Sequence, residues 1–225
     1  MKKAILYCLG LICFTSVFGQ TETDSVDVNY LEDQIYVSLT YNILNNKPKS
    51  ISQKGFSGGT TIGFIKDLPF NEKRNVGIGV GVGYNYNVYI DNLKIDNAGD
   101  NLILEAVEGY KSNRLVFHAI EFPIEFRWRT STPTKYRFWR IYAGVKGAYL
   151  FSINTKYRTS EETIKTKNLN NFNKFQYGLM LSAGYSTWNI YVYYALSPIF
   201  KNDTFFENKQ LDLKELNIGI KFYIM

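Results

Sequence analysis

Val76-Gly77-Ile78-Gly79-Val80-Gly81-Val82-Gly83-Tyr84-Asn85-Tyr86-Asn87-Val88 decides the fold. Every even position is apolar or aromatic, and every odd one is glycine or asparagine. A period of two belongs to a β-strand with two unlike faces. Glycine weakens a strand because nothing packs on it, so four on one face need a reason. A narrow closed barrel supplies one. Its inner face must leave room for large side chains from the rest of the wall, while its outer face meets lipid.

The alternation recurs on both sides of this stretch. Ile35, Val37, Leu39, Tyr41 and Ile43 share a face, and Phe56, Thr60, Ile62 and Phe64 share another. Downstream, Val116, His118, Ile120, Phe122, Ile124, Phe126 and Trp128 stand opposite Glu121, Glu125, Arg127 and Arg129. Four more alternating segments run over 139–152, 175–186, 190–196 and 215–224. Turns are expected across Lys66–Arg74 and near Trp188-Asn189. Pro123 has no N–H for a ladder bond, so a bulge is expected there. Eight strands result. Connections after odd strands are long, about 10, 25, 20 and 15 residues, and those after even strands are shorter. The expected fold is all-β: an eight-stranded antiparallel up-and-down transmembrane β-barrel of outer-membrane type over residues 34–225, with long loops outside and short turns in the periplasm.

The N-terminus agrees with that destination. Lys2 and Lys3 precede an apolar run from Ala4 to Phe18, with Val17 and Gly19 at the −3 and −1 places of a signal peptide cut before Gln20. Both cysteines, Cys8 and Cys13, fall inside residues 1–19, so the mature chain would have no disulfide and no cysteine metal site. Residues 20–33 are polar and acidic and read as a flexible periplasmic lead-in. After cleavage 24 basic residues face 20 acidic ones, too mild and too dispersed for a nucleic-acid surface. No apolar run after residue 19 is long enough for a spanning helix. Yet 45% of residues are hydrophobic and 16% aromatic. Only a closed barrel satisfies every backbone group in lipid without helices.

Alternation alone does not say which face is inside, since a soluble lipocalin-like barrel alternates too. Three features favour the membrane version. None of the eight apolar faces carries Lys, Arg, Asp or Glu. Tyr84, Tyr86, Trp128, Trp139, Tyr149, Phe151 and Phe222 gather near strand ends, where aromatic girdles sit. The opposite faces are rich in Gly, Ser and Asn. The inward charges are then Glu121, Glu125, Arg127, Arg129, Arg140, Lys146, Glu215 and Lys221. In a lumen just wide enough for side chains they must pair. Glu121 with Arg140 or Lys146 is the expected cross-strand pair. The cluster reads as a structural plug, and a proton or ion path is the sharper alternative.

Little else suggests chemistry. His118, the only histidine, lies on the outward face, without placeable partners for a metal site or for a Ser–His–carboxylate site. Gly79-Val80-Gly81 is no dinucleotide fingerprint, because the third glycine would fall at Tyr84 and no helix follows. No cofactor is expected.

Ile120-Glu121-Phe122-Pro123-Ile124 resembles the Leu-Glu-Ile-Pro segment of the Bacteroidota outer-membrane β-barrel domain family often called PorT-like. Tyr142-Ala143-Gly144-Val145-Lys146-Gly147 resembles the strand that follows in that family. Gly178–Tyr185, Tyr193–Pro198 and Gly219–Phe222 are similar to its closing strands. The resemblance covers most of the mature chain, with short motifs and mild departures such as Phe122 for an aliphatic residue. It implies outer-membrane residence and a link to type IX secretion and gliding.

The expected function is a structural or interaction role. The expected partners are outer-membrane lipid and envelope proteins, the latter met through loops 91–113, 154–173 and 198–213; nucleic acid is not one. The alternatives are a small channel, and a barrel acyltransferase or protease acting on lipid or peptide.

Overall fold

A computed structural model describes residues 33–98, 101–130, 137–167, 169 and 171–224. The expected signal segment 1–19 and residues 20–32 of the expected lead-in 20–33 lie outside the described residues, and Asp33 already belongs to a strand. Thirteen strands run in chain order: β1 (Asp33–Asn45), β2 (Gly58–Pro69), β3 (Val76–Ile90), β4 (Leu93–Ala98), β5 (Asn101–Ala106), β6 (Ser112–Arg129), β7 (Trp139–Arg158), β8 (Thr163–Lys167), β9 (Phe175–Tyr185), β10 (Trp188–Ala195), β11 (Phe205–Phe206), β12 (Lys209–Gln210) and β13 (Lys214–Ile224). Eight of them form the wall in the order β1-β2-β3-β6-β7-β9-β10-β13, each antiparallel to its neighbours. The pairing of β13 with β1 closes the ring. This is the closed eight-stranded antiparallel barrel expected above.

The glycines of β3 do what a narrow barrel requires. A methyl on Gly79 would overlap the Arg127 guanidinium, and one on Gly83 would strike the Tyr36 hydroxyl. Both glycines face inward, and larger side chains occupy the space they leave.

Outside, exposed Ile120, Phe122, Ile124 and Phe126 alternate along β6 with buried Glu121, Pro123, Glu125 and Arg127. Two aromatic belts bound this apolar band. At the turn end Trp139 packs on Tyr185 at 5.4 Å and Trp188 on Phe222 at 4.8 Å, with Trp128 on the same level. Toward the loop end His118 packs between Tyr86 and Phe151, at 5.1 and 6.2 Å. Ten residue steps along β6 lead from His118 to Trp128. At about 3.3 Å per residue and a tilt of about 40°, that is about 25 Å, the height of an outer-membrane barrel's apolar band.

Beyond His118 the faces exchange character. Leu115 and Phe117 point inward, while Arg114 and Arg158 are exposed outside. Once the strands leave the hydrocarbon, water is outside, and the strands bury apolar groups as a soluble barrel does. The exchange coincides with a register shift. His118 pairs with Ser152 and Ala119 with Leu150, so Phe151 is an extra residue in β7. The extra residue changes the parity of β7, turning Ile153 inward where strict alternation would turn it out. The bulge expected at Pro123 is therefore not there. The β3–β6 ladder skips Gly81–Pro123 and Val82–Phe122 for want of the proline N–H, then resumes in the same register.

Other boundaries also differ. The tight turn is at Ser186-Thr187, with Ser186 at φ 56°, and Trp188-Asn189 already belong to β10. β2 runs on to Pro69, so Asp67 lies within a strand rather than a turn, and Lys66 stands on the outer face opposite Asp33, so that face is not free of charge as expected. The long loops are structured. β4 and β5 form a hairpin within 91–113, β8 extends the sheet beside β7 within 154–173, and β11 and β12 pair within 198–213.

Candidate functional site

All eight expected lumen charges are buried inside the barrel, and they divide by height. Glu125 occupies the middle of the turn-end half. Its Oε2 accepts bonds from Arg127 Nε and Nη2 at 3.0 and 2.9 Å, and its Oε1 from Lys221 Nζ at 2.9 Å and the Tyr223 hydroxyl at 3.0 Å. Glu125 is on β6 and Lys221 on β13, diametrically opposite in the eight-strand ring. That one ion pair spans the lumen.

Arg127 also donates to Gln34 Oε1 and Asp67 Oδ1, both at 3.1 Å. Arg129 pairs with the other oxygen of Asp67 and donates to the Arg74 carbonyl at 2.6 Å. Higher up, Glu121 accepts from Lys146 at 3.1 Å, the Tyr36 hydroxyl at 2.9 Å and Asn85 at 3.3 Å. Of the two partners expected for Glu121, the structure brings Lys146 and not Arg140. Arg140 sits a turn-end level away, its guanidinium 4.6 Å from the Phe138 ring and 5.9 Å from that of Tyr142. No carboxylate pairs with it among the described residues. Glu215 is higher still and touches Asn217 at 3.5 Å.

Aromatic rings complete the packing. Lys146 lies 3.8 Å over Tyr193, Lys221 4.3 Å over Tyr36, and Arg127 4.6 Å over Tyr142. Buried charges are tolerable only when paired and hydrogen-bonded, and a ring face adds to that compensation. Asp67, Gln34, Tyr36, Asn85 and Tyr223 are members that sequence reasoning left out of the cluster. For Asp67 the signal was present, because Thr61, Gly63, Ile65 and Asp67 continue one face of β2. Asp67-Leu68-Pro69 read as a turn and broke the count.

Above the charges, a void bounded by Asn85, Asn87, Lys146, Gln176, Tyr193 and Glu215 has room for about one water molecule. Beyond it the lumen is apolar. Tyr89, Phe117, Phe172 and Phe200 stack ring on ring at 5.6, 6.0 and 4.5 Å. Leu93, Leu115, Ile153, Ile199, Phe206 and Leu213 pack around them, so three of the long loops contribute to one plug. A buried polar clasp ties the loops together. Asn113 Nδ2 donates to the carbonyls of Asp91 and Leu93 at 3.1 and 2.7 Å, and Asn92 Oδ1 accepts from the Ser52 N–H at 2.7 Å. Burial pushes the Asp91 carboxyl up to about 7, against the Leu93 N–H and Lys47, which favour its charged form.

His118 stays on the outer wall, its Nδ1 2.7 Å from the Tyr84 hydroxyl. Ser152 faces it across the ladder but accepts from Asn154. Among the described residues no three His, Cys, Asp or Glu side chains are grouped to hold a metal.

The outer membrane protein beta-barrel domain model matches residues 18–201, well over half of the chain. The chain belongs to that family. Membership accounts for the largely apolar outer wall and implies residence in the outer membrane. No curated protein matches the chain. Two solved structures of Ail, the attachment invasion locus protein of Yersinia pestis, are similar over 85% of this chain and 98% of their own, at 12% and 13% identity and a TM-score of 0.31. The second holds the heparin analogue sucrose octasulfate.

Proposed function

We propose that this member of the outer-membrane β-barrel family is a closed, non-conducting anchor that displays its folded loop end to other envelope proteins. The observation that carries the proposal is the Glu125–Lys221 pair across the lumen, beneath an apolar plug built from the loops. A barrel blocked twice is poorly suited to transport. Its shaped surface is then the hairpin of β4 and β5 with the neighbouring loops 154–173 and 198–213. The loops face outward from the cell in this reading, and residues 1–19 are removed on export. The PorT-like resemblance implies a specific partner class, the type IX secretion machinery.

Planar-bilayer recording of the purified mature protein tests the closed lumen. Silence is expected, and reproducible single-channel steps would favour the small channel instead. Replacing residues 93–106 with a Gly-Ser linker tests the display. Loss of co-purifying envelope proteins, with the barrel still folded, is the expected result. A deletion strain with normal secretion and an intact envelope would remove the secretion link.

A further inference from the structure

A trough opens in the outer wall beside the loop-end aromatic belt, and the sheet register makes it. Tyr41, Gly58 and Val88 stand level across β1, β2 and β3, with Leu39, Thr60 and Tyr86 one step below. On this face β2 therefore offers only a glycine and a threonine between larger neighbours. The hollow measures about 520 Å³, within the range of small-molecule sites. Phe56 roofs it. Its ring lies over Gly58, packs on Tyr41 at 5.6 Å, and is otherwise largely exposed. The lining is almost wholly apolar.

The chain immediately above is basic. Between Asn46 and Ser57, which joins the two strands that floor the trough, stand Lys47, Lys49 and Lys54 and no acidic residue. All three lysines are exposed. Among the described residues no carboxylate is within ion-pair distance of them, although Lys47 acts at longer range on Asp91.

We propose that the trough and these lysines form a binding site for an anionic, phosphate-bearing lipid. One acyl chain lies between Leu39, Tyr86 and Val88 beneath Phe56, and the phosphate meets the lysines. The trough stands at the loop-end edge of the hydrocarbon, so the headgroup end of an acyl chain is the occupant in reach. The three uncompensated cations at the polar boundary select for a negative headgroup. Each lysine near such a charge favours occupancy by about fivefold.

Native mass spectrometry of the full barrel, released from micelles doped equally with phosphatidylglycerol, phosphatidylcholine and diacylglycerol of the same chains, tests the site. One phosphatidylglycerol per barrel is expected, at least about fivefold over phosphatidylcholine, with diacylglycerol last. Combining Lys47→Gln, Lys49→Gln and Lys54→Gln should bring phosphatidylglycerol down to the phosphatidylcholine level. Gly58→Leu should lower retention of all three lipids. Phe56→Ala, outside the strands, gives the same reading if Gly58→Leu impairs folding on a heat-modifiability gel. Equal retention of phosphatidylglycerol and phosphatidylcholine by the unaltered protein overturns the proposal. So does undiminished phosphatidylglycerol retention in the folded trough variants.

Discussion

The two halves of this lumen are filled by opposite means. Toward the turn end, five cations and four carboxylates are held among tyrosine rings; toward the loop end, leucines, isoleucines and phenylalanines fill the same width. The wall outside changes with them, mostly apolar around the first half, where Asp33 and Lys66 face each other on β1 and β2, and polar around the second. In lipid, burying grease inside gains nothing, because the outside is grease already. Cross-lumen hydrogen bonds and ion pairs must then fasten the strands. In water, the ordinary hydrophobic effect returns and an apolar filling serves. The Phe151 bulge lies where one regime gives way to the other.

The contrast can be broken first at Glu125. Glu125→Gln strands Lys221 without its charge partner and leaves Arg127 with Asp67 alone, and should cost about 3–5 kcal/mol, read as a lower unfolding midpoint in denaturant. Adding Lys221→Met should recover part of the loss. In the other half, Leu115→Ala removes packing without stranding a charge. A cost of about 2–5 kcal/mol is expected, with limited proteolysis cutting the loops while the membrane-embedded strands stay protected. The boundary itself can be mapped from outside. A lysine at Ile124 should cost about 2–4 kcal/mol, whereas one at Val116, beyond His118, should cost about 0–1. Equal costs would place the water line elsewhere.

The smallest effect on the barrel as a whole belongs to Asp91. Its carboxyl keeps its proton up to about pH 7 when folded, but loses it near 3.8 when unfolded. The folded state thus binds the extra proton between those values. Stability of the loop clasp should fall as pH climbs from about 4 to 7 and level off above. Hydrogen exchange at the Leu93 amide would report it, and Asp91→Asn should flatten the profile.

Much of this was legible in the residues. Strict alternation, with eight charges on the parity opposite the apolar one, is enough to read strand number, the outward face and the inward position of Glu121, Glu125, Arg127, Arg129, Arg140, Lys146, Glu215 and Lys221. It does not reveal who meets whom across a ring. Lys221 and Glu125 are 96 residues apart, and only closure brings them together. Arg140 and Lys146 are both lumenal and on one strand, yet only height decides which one reaches Glu121. The apolar plug was harder still. Leu93, Phe172, Ile199 and Phe206 are scattered through loops that read as polar, Ile153 lies past the bulge in β7, and no local period links them. Pro123 misled for a related reason, since a missing N–H interrupts a ladder without having to shift it.

Closure between β1 and β13 has a consequence for assembly. The earliest-made wall segment waits for the final one, so no shorter product can tile a complete cylinder. A polypeptide stopped before Lys214 would carry raw backbone amides on two open seams into a solvent offering them nothing in return. Insertion and completion are thereby coupled, and the eleven residues of β13 act as the latch.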